Sequence, residues 1–341
     1  MANCYASLVS DVLVIGGGLN GVLSAWRLAE RGLAVTVLDD ARTGAASAAA
    51  AGILGAQAET LVPSPLFDFA LASRARYGAL AHALSEDIGY RPWGALARGG
   101  DYAWQLGHGA RVERRDDAWF FADDAQVDPP LLLAAAMRSA VRAGVVFANE
   151  TVLAIDGQKV RTSTAARSAK NIVIAAGAWA SALAPVVVTP VHGVLCEVVG
   201  PRAPAPVVFA RDAYRVTRGD GRVLLGFTAD ATGFETQITE AQKAQLFARA
   251  FTLAPELREA RVLRIWSGLR PHAPRGMPYL YKQGSVVVAA GQHRNGILFA
   301  PLVAECVEAL VCGEAPPFDL QPFAIESSAN SGKWSERSLH G

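Results

Sequence analysis

The hydrophobic pattern separates the chain into three kinds of text. Continuous apolar runs that suit strands covered on both faces occur near the start (Asp11–Ile15 and Ala34–Asp39), in the middle (Val145–Ala148, Val152–Ile155 and Asn171–Ala175) and near the end (Ser285–Ala290). Helical spacing governs residues 19–31, where Leu19, Val22, Leu23, Trp26 and Leu28 share a face. It also governs 66–88 from Pro65, the stretch from Asp128-Pro-Pro130 to about Ala143, 239–250, and the region around 300–312. The third kind of text is choppy and polar-aromatic. It fills Gly89–Asp124 and, with many short strands, Val187–Phe227, and it reads as antiparallel sheet. This alternation predicts two interleaved domains. A discontinuous one comprises 10–85, 126–185 and 263–316, and a second comprises 86–125 and 186–262. After Pro316 the text turns polar, and a loosely packed tail over 317–341 is expected. No internal repeat is visible.

The first strand carries the sharpest motif. Asp11-Val-Leu-Val-Ile-Gly-Gly-Gly-Leu-Asn-Gly21 runs an apolar strand into Gly16, Gly18 and Gly21 in G-x-G-x-x-G spacing and opens at once into a helix. A second strand, Ala34-Val-Thr-Val-Leu-Asp39, then ends on an acid about twenty residues on, as the dinucleotide fingerprint requires. Gly16 permits the tight turn, Gly18 lets backbone approach a pyrophosphate, and Gly21 lets the helix pack on the strand. Free N–H groups at the helix start, around Leu19 and Asn20, suit phosphate oxygens. Asp39, with Asp40 beside it, is placed for a ribose hydroxyl, and its charge disfavours a 2′-phosphate. The motif alone does not separate NAD from FAD.

Composition narrows the partners. The 341 residues carry a formal net charge of +1, with 51% hydrophobic and 18% charged residues. A balanced charge gives no electrostatic reason for nucleic acid or an anionic membrane. No apolar run stands out as a spanning segment, and the residues before the first strand lack the basic and apolar regions of a signal peptide. Cys4, Cys196, Cys306 and Cys312 are scattered without a C-x-x-C, which fits a cytoplasmic protein with thiols as small core side chains. The six histidines form no metal-ligand spacing, so no metal is expected.

Two late stretches add chemistry: Trp266-Ser-Gly-Leu-Arg-Pro271 and Gly291-Gln-His-Arg-Asn-Gly-Ile-Leu-Phe-Ala-Pro301. At these residues the chain resembles the glycine oxidase group of the D-amino-acid oxidase superfamily, which are FAD enzymes. Ser47-Ala-Ala-Ala-Ala-Gly-Ile-Leu-Gly-Ala-Gln57, Phe67-Asp-Phe-Ala-Leu71, Ala175-Ala-Gly-Ala-Trp179 and Gly221-Arg-Val-Leu-Leu-Gly226 extend the likeness over about residues 10–312 in the family's order. The resemblance implies an α/β fold: a Rossmann-like FAD-binding domain interleaved with an antiparallel-sheet substrate domain. It places Ser47, Ala50, Ala51, Gly52, Ile53 and Leu54 along the flavin ring. Val152, Ala176, Gly177 and Trp179 fall near the adenine and pyrophosphate. Gly268, Gly291, His293, Arg294, Asn295, Gly296 and Ile297 fall near the flavin's N1–C2 carbonyl edge.

By the same resemblance Arg270 pairs with a substrate carboxylate, for which a guanidinium fork is well shaped. Tyr214 adds a hydroxyl and Arg294 assists. Taken singly, Arg270 would be a surface ion-pair residue, Tyr214 a core tyrosine, and Arg294 a cap of the following helix. The implied reaction is oxidative deamination of glycine or a related small or N-substituted amino acid. Hydride passes from Cα to flavin N5, the imine hydrolyses, and O2 reoxidises the flavin to give H2O2, so His293 is not needed as a base. Two pocket positions depart from the family: Ala229 replaces a bulky methionine, which predicts a wider pocket, and Asp212 replaces a histidine. Two alternatives stay open, a same-fold dehydrogenase using a quinone or protein acceptor and a non-catalytic flavoprotein subunit. A homo-oligomer is compatible with all three.

Overall fold

The computed structural model describes residues 10–325, apart from 109 and 211. Cys4 and the end of the predicted tail, 326–341, lie outside the described residues. Two sheets organise the rest. In the first, Val286–Ala290, Ala166–Ile174, Ser10–Ile15, Val35–Asp39 and Val146–Asn149 lie side by side in parallel, with Tyr279–Gln283 antiparallel at one edge. The apolar runs form these strands because helices cover one face and a second apolar layer covers the other. The first helix, Leu19–Glu30, and the last, Gly296–Cys312, pack against each other on one side. Val22, Leu23, Trp26, Phe299 and Val303 belong to one core with strand residues Val12, Val14 and Val287.

The second sheet runs Val262–His272, Thr189–Val199, Arg222–Gly226, Tyr214–Thr217, Val207–Phe209, Ala95–Arg98, Ala118–Phe121 and Glu113–Arg115. It is antiparallel except where Val207–Phe209 meets Ala95–Arg98 in parallel. Its longest pairing joins Thr189–Val199 to Val262–His272 and sets Val191 opposite Arg270 and Gly193 opposite Gly268. Residues 263–272, grouped above with the first domain, therefore belong to the second sheet. The alternating text from Leu263 to Arg270 is a continuous strand that delivers Arg270 to the border between the sheets.

Three other expectations need correction. The helical pattern over 66–88 is two helices, Pro65–Arg74 and Tyr77–Leu84, with a turn at Ala75 and Arg76. Ser64 caps the first through its side chain, and Arg76 reaches across to Glu305 at 2.6 Å. The start of the tail is not loose: Phe323 is fully buried, and Phe318 and Phe323 both pack on Phe69. Finally, His293–Cys312 is long and apolar enough to cross a membrane by length and composition. Its apolar surface is instead spent in the protein core, where 72% of the most apolar window is buried. Pro301 sits inside that helix and has no N–H to give Ile297. The buried Tyr77 hydroxyl supplies the missing donor to the Ile297 carbonyl at 2.5 Å.

Candidate active site

A cavity of about 590 Å³ runs between the two sheets, a size suited to a cofactor pocket. One end is made by the glycine turn. Gly16 has φ +110°, and a Cβ there would fall 2.3 Å from the Ala175 carbonyl oxygen. A Cβ on Gly21 would fall 2.0 Å from the Gly16 carbonyl oxygen, so the helix can pack this closely only on glycine. Gly18 caps the helix without a side-chain bond, and the Leu19 N–H donates to Ser47 Oγ at 3.0 Å. Asp39 accepts from the N–H groups of Gly17 (2.6 Å) and Ala41 (2.8 Å), which fixes its carboxylate at the cavity wall. Asp40 pairs with Arg42 and accepts from Thr151 Oγ1 at 2.9 Å. Asn20 bridges to the last helix by donating to the Gly296 carbonyl at 3.1 Å. Its buried Oδ1 has no partner among the described residues.

At the other end, two side chains lie flat over glycines of neighbouring strands. A Cβ on Gly193 would sit 2.0 Å from Arg270 Nη1, and one on Gly226 would sit 2.2 Å from Tyr214 Cζ. The glycines are therefore the floor beneath the site, the close-approach role that a strand glycine signals. Arg270 donates through Nη1 to the Thr228 carbonyl at 3.1 Å, and among the described residues it forms no ion pair. Burial, with Arg294 nearby, pulls its pKa below the usual arginine value, while Tyr214 opposes the shift. The Tyr214 ring stacks on Phe227, and burial pushes its hydroxyl up to about 12, so it stays a neutral donor. Arg294 and Arg270 both face the Phe227 ring, at 4.7 and 5.3 Å, which is cation–π range. Unlike Arg270, Arg294 is neutralised by Glu59 at 2.9 Å.

His293 has φ +48° and contacts His272 edge-on. Burial, then His272, Arg270 and Arg294, lower its pKa to about 4, so the imidazole is uncharged near neutrality.

The cavity brings together most of the predicted residues. At the turn it is lined by Gly16, Gly18, Leu19, Asn20, Asp39 and Asp40, and along its middle by Ser47, Ala50, Ala51, Gly52 and Ile53. Val152, Ala176, Gly177 and Trp179 close one side; Tyr214, Gly268, Arg270, His293, Arg294, Gly296 and Ile297 close the other. Gly21, Leu54, Gly291 and Asn295 lie outside the lining and act as supports. Leu54 is buried in the core, and Gly291 takes a left-handed turn (φ +80°) against Ala273. Two pocket positions are corrected. Ala229 and Asp212 are exposed and line no part of the cavity. Phe227 takes the inward position, the Thr228 side chain is buried against the Val194 N–H, and Ala229 is left facing outward. The wider pocket inferred from Ala229 does not follow.

Glu59, Phe227, Gly193, Arg42 and Phe234 line the cavity and were not singled out from the sequence. The glycine inside the Val191–Val194 strand text was the one available signal. Phe234 stacks on Trp179, and Arg42 lies over the same indole, but both come from polar loops with no local mark of a site.

Comparison with known proteins bears on the whole chain. Residues 11–310 match the family model described as FAD dependent oxidoreductase (DAO). Glycine oxidase of Geobacillus kaustophilus is 34% identical over 365 residues, covering 92% of this chain and 96% of that protein. Its crystal structure superimposes with a TM-score of 0.87 at 32% identity, over 94% of this chain and 99% of that one. The bifunctional protein ThiO/ThiG of Synechocystis is 35% identical over 89% of this chain, which spans only 51% of that longer protein.

Proposed function

The chain belongs to the FAD dependent oxidoreductase family and is an FAD-dependent enzyme of the glycine oxidase type acting on an amino acid or amine; from that premise we propose that it oxidatively deaminates glycine or a related small or N-substituted amino acid, with O2 as acceptor. One observation carries the substrate reading. Arg270 is a largely buried cation on the cavity wall, and among the described residues it has a single carbonyl partner and no carboxylate. A buried charge is costly unless compensated, so the unpaired fork favours an anionic ligand, and a carboxylate fits it bidentately. Tyr214, kept as a phenol, donates a second hydrogen bond.

The residues present fit FAD. The glycine turn leaves room only for backbone, the orphaned Asn20 Oδ1 is left free to accept a hydrogen bond, and the small residues from Ser47 to Gly52 admit a planar ring. We assign the pyrophosphate to Gly16–Asn20, the adenosine to Asp39, Asp40 and Val152, and the ring to Ala50–Ile53 and His293–Ile297. When bound, FAD supplies two-electron oxidation and transfer of those electrons to O2.

The protein's own part is positioning and electrostatics. Arg270 and Tyr214 hold the carboxylate and so aim Cα along the cavity. Phe227, stacked on Tyr214 and lying against Arg270, adds an apolar wall beside them. His293, its pKa lowered to about 4, is too weak a base to take a proton from the substrate ammonium, so the amine reacts in its neutral form. In sum, amino acid, water and O2 give 2-oxo acid, H2O2 and either ammonia from a primary amine or the free amine from an N-substituted substrate, which balances atoms and electrons. Three free cysteines among the described residues and no disulfide accord with a cytoplasmic setting.

The test is anaerobic mixing of the yellow holoenzyme with glycine, sarcosine, other N-alkyl glycines and D-amino acids. Loss of visible flavin absorption with glycine or its N-substituted forms, followed by one H2O2 per substrate in air, is expected. Bleaching by none of them would reject the substrate class, and bleaching without H2O2 in air would reject O2 as acceptor.

A further inference from the structure

Arg218 is a buried charge that the reaction above does not use. It is 8% exposed and has no ion-pair partner among the described residues. Its guanidinium serves three neutral acceptors instead: Nη1 donates to Gln126 Oε1 (2.9 Å) and the Val127 carbonyl (2.5 Å), and Nη2 donates to the Ala51 carbonyl (2.7 Å). Gln126 returns a bond to the Thr217 carbonyl at 2.9 Å, locking the clamp to its own strand. A second side chain from the same sheet grips the same loop. Trp266 Nε1 donates to the Ala49 carbonyl at 3.0 Å.

The spacing of those two carbonyls matters. Both the Ala49–Ala50 and Ala51–Gly52 peptides are trans. In a trans peptide the C=O and N–H point in opposite directions. Drawing the carbonyls of Ala49 and Ala51 back toward Trp266 and Arg218 turns the N–H groups of Ala50 and Gly52 the other way. Ala50 and Gly52 both line the large cavity, whereas Arg218 and Trp266 do not. Neither N–H has an acceptor among the described residues. Gly52, at φ +74° with its Cβ position 2.1 Å from the Val127 carbonyl, lets the chain make this turn.

We propose that Arg218 and Trp266 are positioning residues that act from the second sheet on the cofactor loop, presenting the Ala50 and Gly52 N–H groups to the flavin ring. The inference rests on the FAD reading above. It explains why a cation is buried at this point: its planar fork fixes three acceptors at once, which a single neutral donor cannot do. It also ties the substrate sheet to the electronics of the ring. Donors aimed where negative charge gathers on reduction favour the reduced form, so loosening them lowers the flavin's midpoint potential.

The experiment uses Trp266→Phe, which keeps the ring and removes one clamp, and Arg218→Lys, which keeps the charge and loses the fork. Each holoenzyme is measured for flavin absorption band shape and midpoint potential, and each apoprotein for FAD affinity. We expect about fivefold weaker FAD binding for Trp266→Phe, the effect of one ordinary hydrogen bond, and about tenfold for Arg218→Lys. Both should show a changed band shape and a lower potential, while acetate affinity, set by Arg270, stays within about twofold. Folded variants with wild-type spectrum, potential and FAD affinity would overturn the clamp. Trp266→Phe decides alone if Arg218→Lys does not fold. Wild-type protein that takes up no FAD would instead reject the cofactor reading itself.

Discussion

The two ends of the cavity are built from different materials. At the glycine turn the working groups are backbone: Gly16, Gly18 and the first N–H groups of the helix, with side chains excluded at Gly16 and Gly21 by carbonyls 2.3 and 2.0 Å from where a Cβ would sit. At the Arg270 end the working groups are side chains, and glycines serve only as the floor beneath them. A backbone site binds any ligand with the right phosphates, whereas a side-chain site is retuned by single substitutions. Cofactor binding and substrate choice are thereby separable in one pocket.

Breaking the backbone end should have the largest effect. Gly16→Ala forces a Cβ onto the Ala175 carbonyl in a left-handed conformation, costing roughly 1–3 kcal/mol for the backbone alone before the overlap is relieved. Colourless or insoluble protein is expected, read by flavin content and thermal unfolding; full flavin content would show that the turn tolerates side chains. At the other end, Arg270→Met should leave flavin content intact and lower kcat/KM by about 10- to 1,000-fold, the range for losing a charged hydrogen bond and its orienting effect.

A finer contrast lies between the two arginines. Among the described residues Arg270 has no ion-pair partner, whereas Arg294 is held by Glu59. Glu59→Gln frees the second cation, so malonate should gain about two- to fivefold over acetate as a competitive ligand, about one exposed charged contact. An unchanged ratio would mean that Arg294 does not reach the ligand.

The pH dependence distinguishes binding from stability. His293 titrates at about 4 when folded, well below the ordinary histidine value. The unfolded chain therefore takes up a proton first, and the stability held above about pH 6.5 is lost as pH falls toward 4. Wild type should lose more of its melting temperature across that window than His293→Gln; parallel losses would place His293 outside this linkage. The smallest effect is expected at Ala229. Its side chain faces out, so Ala229→Met should alter kcat/KM for glycine and for bulkier amines by less than about twofold, as surface changes do. A selective loss with bulky amines would restore the pocket role once read from sequence.

The same contrast explains what could be read in advance. The glycine turn is local: its strand, spacing and Asp39 lie within thirty residues, although the carbonyl that excludes a side chain at Gly16 is supplied by distant Ala175. The Arg270 end is assembled from strands and loops more than two hundred residues apart. Arg270, Tyr214 and Arg294 were legible only through the family's motifs, and Glu59 and Phe227 not at all, since neither position has a local pattern. Ala229 and Asp212 show the limit of alignment by spacing. The chain leaves its strand after Gly226, so alternation no longer tells which of Phe227, Thr228 and Ala229 faces the cavity. The tail misled for a related reason, because Phe318 and Phe323 are isolated apolar residues in polar text yet find Phe69 in space.

The separation of the two ends is tested most directly by measuring the flavin content of wild-type and Arg270→Met proteins as purified and then reducing equal flavin concentrations of each anaerobically with glycine. Equal flavin content is predicted, with rapid bleaching of the wild type and bleaching slowed about 10- to 1,000-fold in the variant. Equal bleaching rates, or a variant that has lost its flavin, would contradict the assignment of carboxylate binding to Arg270 and of cofactor binding to the opposite end.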